Sequence, residues 1–183
     1  MRYILSVALV ALFSSPVFAD GTCSNTAYPL VDSSVKFGMT TAQLKKAIRP
    51  LKKKANVVNQ DNITVLVFKK PYKNLDKIIY LAMDGKVTRV AFSYSNEFQR
   101  KLGGRLNALQ TMLEKLVEKH GKADDVDFNK EKGRVEALWG NNKGATLRVI
   151  ADDSDGSMMM RIDCDELEGK IMKAQKKSAN FGF

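Results

Sequence analysis

The sequence predicts an α+β fold: two tandem units, each a helix followed by a three-stranded antiparallel meander, closed by a C-terminal helix. Three observations predict it. Apolar residues switch twice between helical spacing and strand alternation, in the order helix, three strands, helix, three strands, helix. Asp84-Gly85 joins two apolar runs, "LDKIIYLAM" and "KVTRVAFSYS", and Asp-Gly in that setting is a strong hairpin signal. Turn-rich stretches at 141–144 and at "DDSDG" separate "RVEALWG", "ATLRVIA" and "SMMMRIDC", which reads as a second meander.

The elements follow in chain order. Residues 1–19, "MRYILSVALVALFSSPVFA", read as a secretory signal peptide: Arg2 opens it, Ile4 to Phe13 is apolar except for Ser6, and "VFA" places small residues before a cleavage point after Ala19. The apolar run is about half of the roughly 20 residues that a membrane anchor needs. No cysteine stands at the cleavage point, where Asp20 follows Ala19, so a lipid-anchored form is not expected. Of 183 residues, 164 remain after cleavage, and 44% of the chain is apolar, enough for a packed core.

Residues 20–37 read as an irregular arm. The first unit, 38–97, opens with "TTAQLKKAI", where Thr40 or Thr41 can cap a helix and Gln43 sits three residues after Thr40, as in a capping box. Leu44, Ile48, Leu51 and Ala55 share one helical face. Pro50 removes a backbone donor, so the helix should end or kink near Arg49. "NITVLVF" is almost continuously apolar and reads as a central strand covered on both faces. The second unit, 98–183, starts with "RLNALQTMLEKLVEKHG", whose Leu106, Leu109, Leu113, Leu116 and Val117 form a stripe ended by Gly121. "DELEGKIMKAQKK" is the closing amphipathic helix.

Cys23 and Cys164 are the two cysteines. In an exported chain an even count suggests a disulfide, which would staple the arm to the last strand; the alternative is two free thiols. No CxxC is present, which argues against thiol–disulfide catalysis.

Charge is unevenly distributed. Residues 20–102 hold 15 Lys or Arg against 6 Asp or Glu, whereas residues 103–183 hold 14 of each. The surplus gathers in and after the first helix, and the candidate partner-binding residues are Lys45, Lys46, Arg49, Lys52, Lys53, Lys54, Lys69, Lys70 and Lys73. Such a surplus speeds encounter with anionic partners and makes it salt-sensitive. Aromatic residues are not interleaved with the basic ones as a base-stacking surface requires, so nucleic acid is not an expected partner.

"KFGMTTAQLKKAI" followed by a meander containing "DGKVTRVAFSYS" resembles the SmpA/OmlA-type outer-membrane assembly lipoproteins and the tandem fold of the β-lactamase-inhibitor-like proteins. Gly38, Met39 and Thr40 match the Gly-Met-Thr turn that starts a helix in those families. "LVEKHGKADD" is similar to their Tyr-Gly-x-Pro helix ending, with His120 in place of the Tyr and Ala123 in place of the Pro. The match covers about 60 residues of the first unit and only the outline of the second. It departs at the missing lipoprotein cysteine and at "IRPLKKK", which stands where a Gly-Pro is expected. The resemblance implies a non-catalytic scaffold that binds another protein.

The residues themselves offer little chemistry. His120 is the sole histidine and precedes a helix-ending Gly, where a cation suits the helix dipole. "ADDSDGS" mimics a calcium loop, but Ala151 and Ile162 occupy positions that need an acid, so a polar hairpin turn is expected. One histidine and two distant cysteines leave no zinc set, and the glycine clusters follow neither a P-loop nor a dinucleotide fingerprint. Trp139 and the Met158–Met160 run read as core or sheet-face packing. No enzyme, cofactor or metal is expected. Two functions remain: a periplasmic protein-binding module that meets an acidic partner, or an electrostatic binder of anionic envelope components such as lipopolysaccharide, phospholipid or peptidoglycan.

Overall fold

Apolar alternation along the strands requires one sheet face to be buried, and the helices supply the cover. The computed structural model describes Cys23, Tyr28 and residues 34–48, 55–131, 133–142 and 144–180. The leader at 1–19 and the predicted basic residues Arg49, Lys52, Lys53 and Lys54 lie outside the described residues. Helix α1 (Thr41–Ala47) precedes β1 (Asn56–Gln60), β2 (Ile63–Lys69), β3 (Leu75–Met83) and β4 (Lys86–Tyr94). Helices α2 (Asn96–Lys101) and α3 (Arg105–His120) lead into β5 (Asp125–Asn129), β6 (Arg134–Asn142), β7 (Ala145–Asp152) and β8 (Met158–Cys164), and α4 (Asp165–Asn180) follows.

Among the described residues eight strands form one antiparallel sheet in the order β1-β2-β3-β4-β8-β7-β6-β5. The α+β class therefore holds. Each run of consecutive strands is a four-stranded meander, and the two meet where β4 pairs with β8 from Arg89↔Asp163 to Ser93↔Met159. This corrects the expectation of three strands apiece. The added strands, β1 (NVVNQ) and β5 (DVDFN), sit at the two sheet edges, pair on one side only and are exposed almost throughout. Edge strands tolerate polar residues on both faces, so they lack the alternation that marks an inner strand. Helix α2 was likewise illegible: six residues are too few for a periodic stripe, and Ser95 as N-cap is its clearest signal.

One register row shows where the core lies. Leu66, Tyr80, Val90, Ile162, Leu147 and Trp139 are successive partners across six strands and are each at most 3% exposed. Leu44 and Ile48 of the first helical segment and Ala108, Leu109 and Leu116 of α3 belong to the same buried cluster. The neighbouring row, Val67, Ile79, Ala91, Arg161, Arg148 and Leu138, points to the opposite face because side chains alternate along a strand. Except for Ala91, these residues are half-buried. The "NITVLVF" run is thus not a central strand covered on both faces: β2 is second from the edge, and only Leu66 and Phe68 are buried.

Thr40 caps α1 with the full capping box: its hydroxyl accepts from the Gln43 amide at 3.2 Å, and the Gln43 side chain accepts from the Thr40 amide at 2.8 Å. Gly38 has φ +79°, a left-handed turn that favours glycine, and donates to the Val87 carbonyl at 2.8 Å. These bonds, with Thr41 donating to Gly85, fasten the start of α1 to the β3–β4 turn. In α3 the packed strip is narrower than the apolar stripe read from sequence. Leu106 is 72% exposed and Val117 43%, because the helix rests on its Ala108, Leu109 and Leu116 side.

Cys23 and Cys164 form a disulfide with Cα atoms 5.8 Å apart, linking positions separated by 141 residues. A bridge over so long a loop stabilises by roughly 4 to 5 kcal/mol in the chain-entropy model. Tyr28 lies on the same side, donating to the Trp139 carbonyl at 3.0 Å, with its ring edge-on to His120 at 5.2 Å. Trp139 itself is buried and donates to the Gly121 carbonyl at 2.9 Å, so it packs as a core residue.

Candidate functional site

The basic residues within the described structure fall into two groups. Lys45 and Lys46 are exposed on α1, whose start is fastened to the β3–β4 turn. Lys69, Lys70 and Lys73 are exposed at the β2–β3 turn, the opposite end of β3. Among the described residues none of these five forms an ion pair.

Lys77 belongs to the same basic surplus of the leading half. The register places it directly opposite Lys69 across β2 and β3. Like charges in that position repel, at a cost of a few tenths of a kcal/mol. No ion pair among the described residues relieves the two. The opposition of Lys69 and Lys77 shows only in the hairpin register, which needs the turn length as well as the strands. Lys70 has a positive φ of 45°, unusual for a residue with a side chain, and its amide donates to the Asp76 carbonyl at 2.6 Å. The Ser95 amide donates to the Asn74 carbonyl at 3.0 Å and its hydroxyl to the Lys73 carbonyl at 3.4 Å, holding the turn against the end of β4.

This turn, the start of α2 and the β7–β8 turn enclose a cleft of about 740 Å³. Lys70, Lys73 and Lys77 line it, and so do Asp76, Glu97 and Asp155, so its charges balance; Tyr72, also in the lining, is exposed. Tyr94 forms part of the wall; its hydroxyl is pushed up to about 12 by burial, and its ring leans on Phe98 at 5.3 Å.

The trailing half handles its charge differently. On the open sheet face Arg148 stands opposite Arg161, another like-charged pair. Here carboxylates intervene. Asp163, whose side chain is 2% exposed, receives Arg161 at 2.9 Å and Arg148 at 3.6 Å and also pairs with Arg89. Glu136 accepts from Arg148 at 3.0 Å and from Arg134 at 2.8 Å. Burial pushes the Glu136 carboxyl up, but the hydrogen bonds from both arginines outweigh it and hold the group below its ordinary value. Glu168 shows the reverse balance: burial raises it, and Arg89 at 3.3 Å only partly offsets that.

The mimic of a calcium loop is a hairpin turn held from outside. Arg105 donates to the Asp152 carbonyl at 2.8 Å and pairs with Asp153, while Asp152 and Asp155 accept from Ser154 and Ser157 within the turn. Among the described residues no group of three or more His, Cys, Asp or Glu is placed to hold a metal ion, and no helix is long and apolar enough to cross a membrane. His120 ends α3, and burial followed by the Lys119 charge lowers its affinity for a proton.

No family model and no curated protein matches the chain. A solved structure of a DUF4309 family protein (YjgB) from Bacillus subtilis subsp. subtilis str. 168 is similar at a TM-score of 0.36 and 11% identity, covering 68% of this chain and 77% of that one. So distant a likeness carries no argument about the site.

Proposed function

We propose that the chain is exported to the periplasm, cleaved after Ala19, and acts there without catalysis as a protein-binding module, an envelope assembly accessory or an inhibitor or immunity-type protein. Its docking face is the basic leading half, and the partner presents an acidic surface. The observation that carries this reading is the Lys69–Lys77 pair with Lys70 and Lys73 beside it: four cations gathered without ion pairing among the described residues, two of them in direct opposition. A fold gains nothing from such a pair, whereas an acidic partner would relieve it. The disulfide fits an oxidising compartment, and the Gly38-Met39-Thr40 turn with its capped helix supports kinship with the SmpA/OmlA-type and β-lactamase-inhibitor-like tandem folds.

The test is capture from native envelope extract. The unaltered protein should retain one stoichiometric protein, lost in high salt and lost with Lys69→Glu, Lys70→Glu and Lys73→Glu together. Enrichment of nothing over the triple variant would refute the reading. A second reading, binding to lipopolysaccharide, phospholipid or peptidoglycan, draws on the same exposed lysines of the β2–β3 turn; it requires sedimentation with anionic vesicles or sacculi that high salt abolishes and neutral vesicles do not reproduce.

A further inference from the structure

We infer that the exposed apolar strip of α3 is the contact surface of a weak homodimer, in which α3 of a second copy lies against it antiparallel. Among the described residues, α3 alone lines a shallow recess along Leu106, Leu109, Leu113 and Val117, with Gln110, Glu114 and Glu118 completing the lining. Leu106 is 72% exposed and Val117 43%, so the chain itself does not cover the strip. From Leu106 to Val117 the strip is about 16 Å long. Leu106, Gln110, Leu113 and Val117 recur at the alternating four- and three-residue spacing by which one helix packs along another.

Charge decides what covers it. Glu118 stands in the last turn of α3 with Lys119 and His120; the helix dipole favours the basic groups there and disfavours the carboxylate. Glu114, one turn earlier, repels Glu118. Neither carboxylate forms an ion pair among the described residues, and Glu114 accepts from the Gln110 amide at 2.8 Å. Lys115 and Lys119 lie outside the lining, so the only charges in the recess are acidic. At the other end, the first turn of α3 holds no acid, and its N-cap Gly104 makes no side-chain bond to the free amides. Arg105 holds Asp153 there, outside the lining. An antiparallel second copy corrects both ends. With Leu106 facing Val117 of the second copy and Gln110 facing its Leu113, each Glu118 comes level with the positive first turn of the other α3. A parallel pair would set each acid beside its own counterpart. The antiparallel arrangement is two-fold and closes as a dimer. It also joins the halves that hold 14 basic and 14 acidic residues each, so two copies meet there without net repulsion. The strip is separate from the lysines of the β2–β3 turn, and the dimer does not rest on docking there.

The test is sedimentation equilibrium with methyl NMR on the intact, disulfide-bonded protein. A strip this short makes less than a standard interface, so a dissociation constant of about 10 to 500 μM is expected. In an equal mixture of isotope-labelled and unlabelled protein, a filtered NOE should join Leu106 of one copy to Val117 of the other; within one copy the two are too far apart. Leu106→Glu places an acid in the first turn of α3, which suits the lone helix but faces Glu118 of the second copy. It should weaken association at least about tenfold while leaving the melting temperature of the dilute protein no lower. Glu118→Lys should weaken association about threefold or more. A monomer at about 1 mM, whether or not a lipid vesicle or another protein then covers α3, would overturn the inference, because even the weakest dimer expected is well populated there. So would intermolecular NOEs from another surface, full association in Leu106→Glu, or tighter association in Glu118→Lys, the mark of a parallel pair.

Discussion

Two cross-strand cation pairs occupy the same sheet and are treated in opposite ways. Arg148 and Arg161 face each other between β7 and β8 with Asp163 and Glu136 threaded among them. Lys69 and Lys77 face each other between β2 and β3 without an ion pair among the described residues. The difference extends to each half. Acids of the trailing half pair with Arg105, Arg134, Arg148, Arg161 and Lys170 of the same half, and Arg89 of the leading half reaches across to Asp163 and Glu168. Among the described residues the trailing half thus ties five of its cations into ion pairs, whereas the leading half ties Lys101 to Glu97 and Arg89 to trailing-half acids and leaves the lysines of the β2–β3 turn available to a partner.

The largest effect expected is on what ties the halves together. Replacing Cys23 and Cys164 by serine should lower stability by about 2 to 5 kcal/mol, read by chemical denaturation beside the oxidised protein. An unchanged midpoint would mean that the bridge does not constrain the unfolded chain. Next comes the compensated pair. Asp163→Asn removes the carboxylate shared by three arginines, each about a third exposed or less. Breaking a fully buried pair costs about 3 to 5 kcal/mol; solvent at the arginines brings the expectation to about 2 kcal/mol. A loss below half a kcal/mol would show that the ladder is ornamental. The bare pair should behave inversely: Lys77→Glu creates an opposite-charge pair with Lys69 and should raise stability by a few tenths of a kcal/mol while weakening capture of the partner. Should it lower stability, the two lysines are not in opposition in solution.

The smallest effect is on pH dependence. His120 binds a proton less readily when folded than when unfolded. The unfolded chain therefore takes up more protons as pH falls through the ordinary histidine value near 6.5, and stability declines below that point until the folded group also titrates. His120→Gln should flatten the profile between about pH 7 and 5. An identical slope in the variant would place the pH dependence elsewhere, and the raised Glu168 is opposite in sign: its contribution is present at low pH and is lost as pH rises past the carboxylate range.

What could be read from the sequence followed burial. Thr40 and Gln43 announce the cap, Asp84-Gly85 the hairpin, and Met158 and Met160 the inward phase with Met159 on the opposite face, because each is a local pattern. β1 and β5 escaped because edge strands need no alternation, and the exposed side of α3 escaped because a stripe shows what is apolar but not what covers it. For the site, the sequence showed the surplus charge but not its partition. Lys45 and Lys46 lie apart from the Lys69–Lys73 group, and Lys77 joins the latter only through register. The pairing of Asp163 with arginines from β4, β7 and β8 depends on the β4–β8 junction, a contact between distant segments.

The most direct measurement is the salt dependence of binding to the envelope fraction for three proteins: unaltered, Lys69→Glu with Lys73→Glu, and a matched reversal in the trailing half, Lys115→Glu with Lys119→Glu. Binding that weakens steeply with salt, collapses with the leading-half reversal and survives the trailing-half one is the result expected. Equal loss in both variants, or none in the first, would contradict the assignment of docking to the leading half.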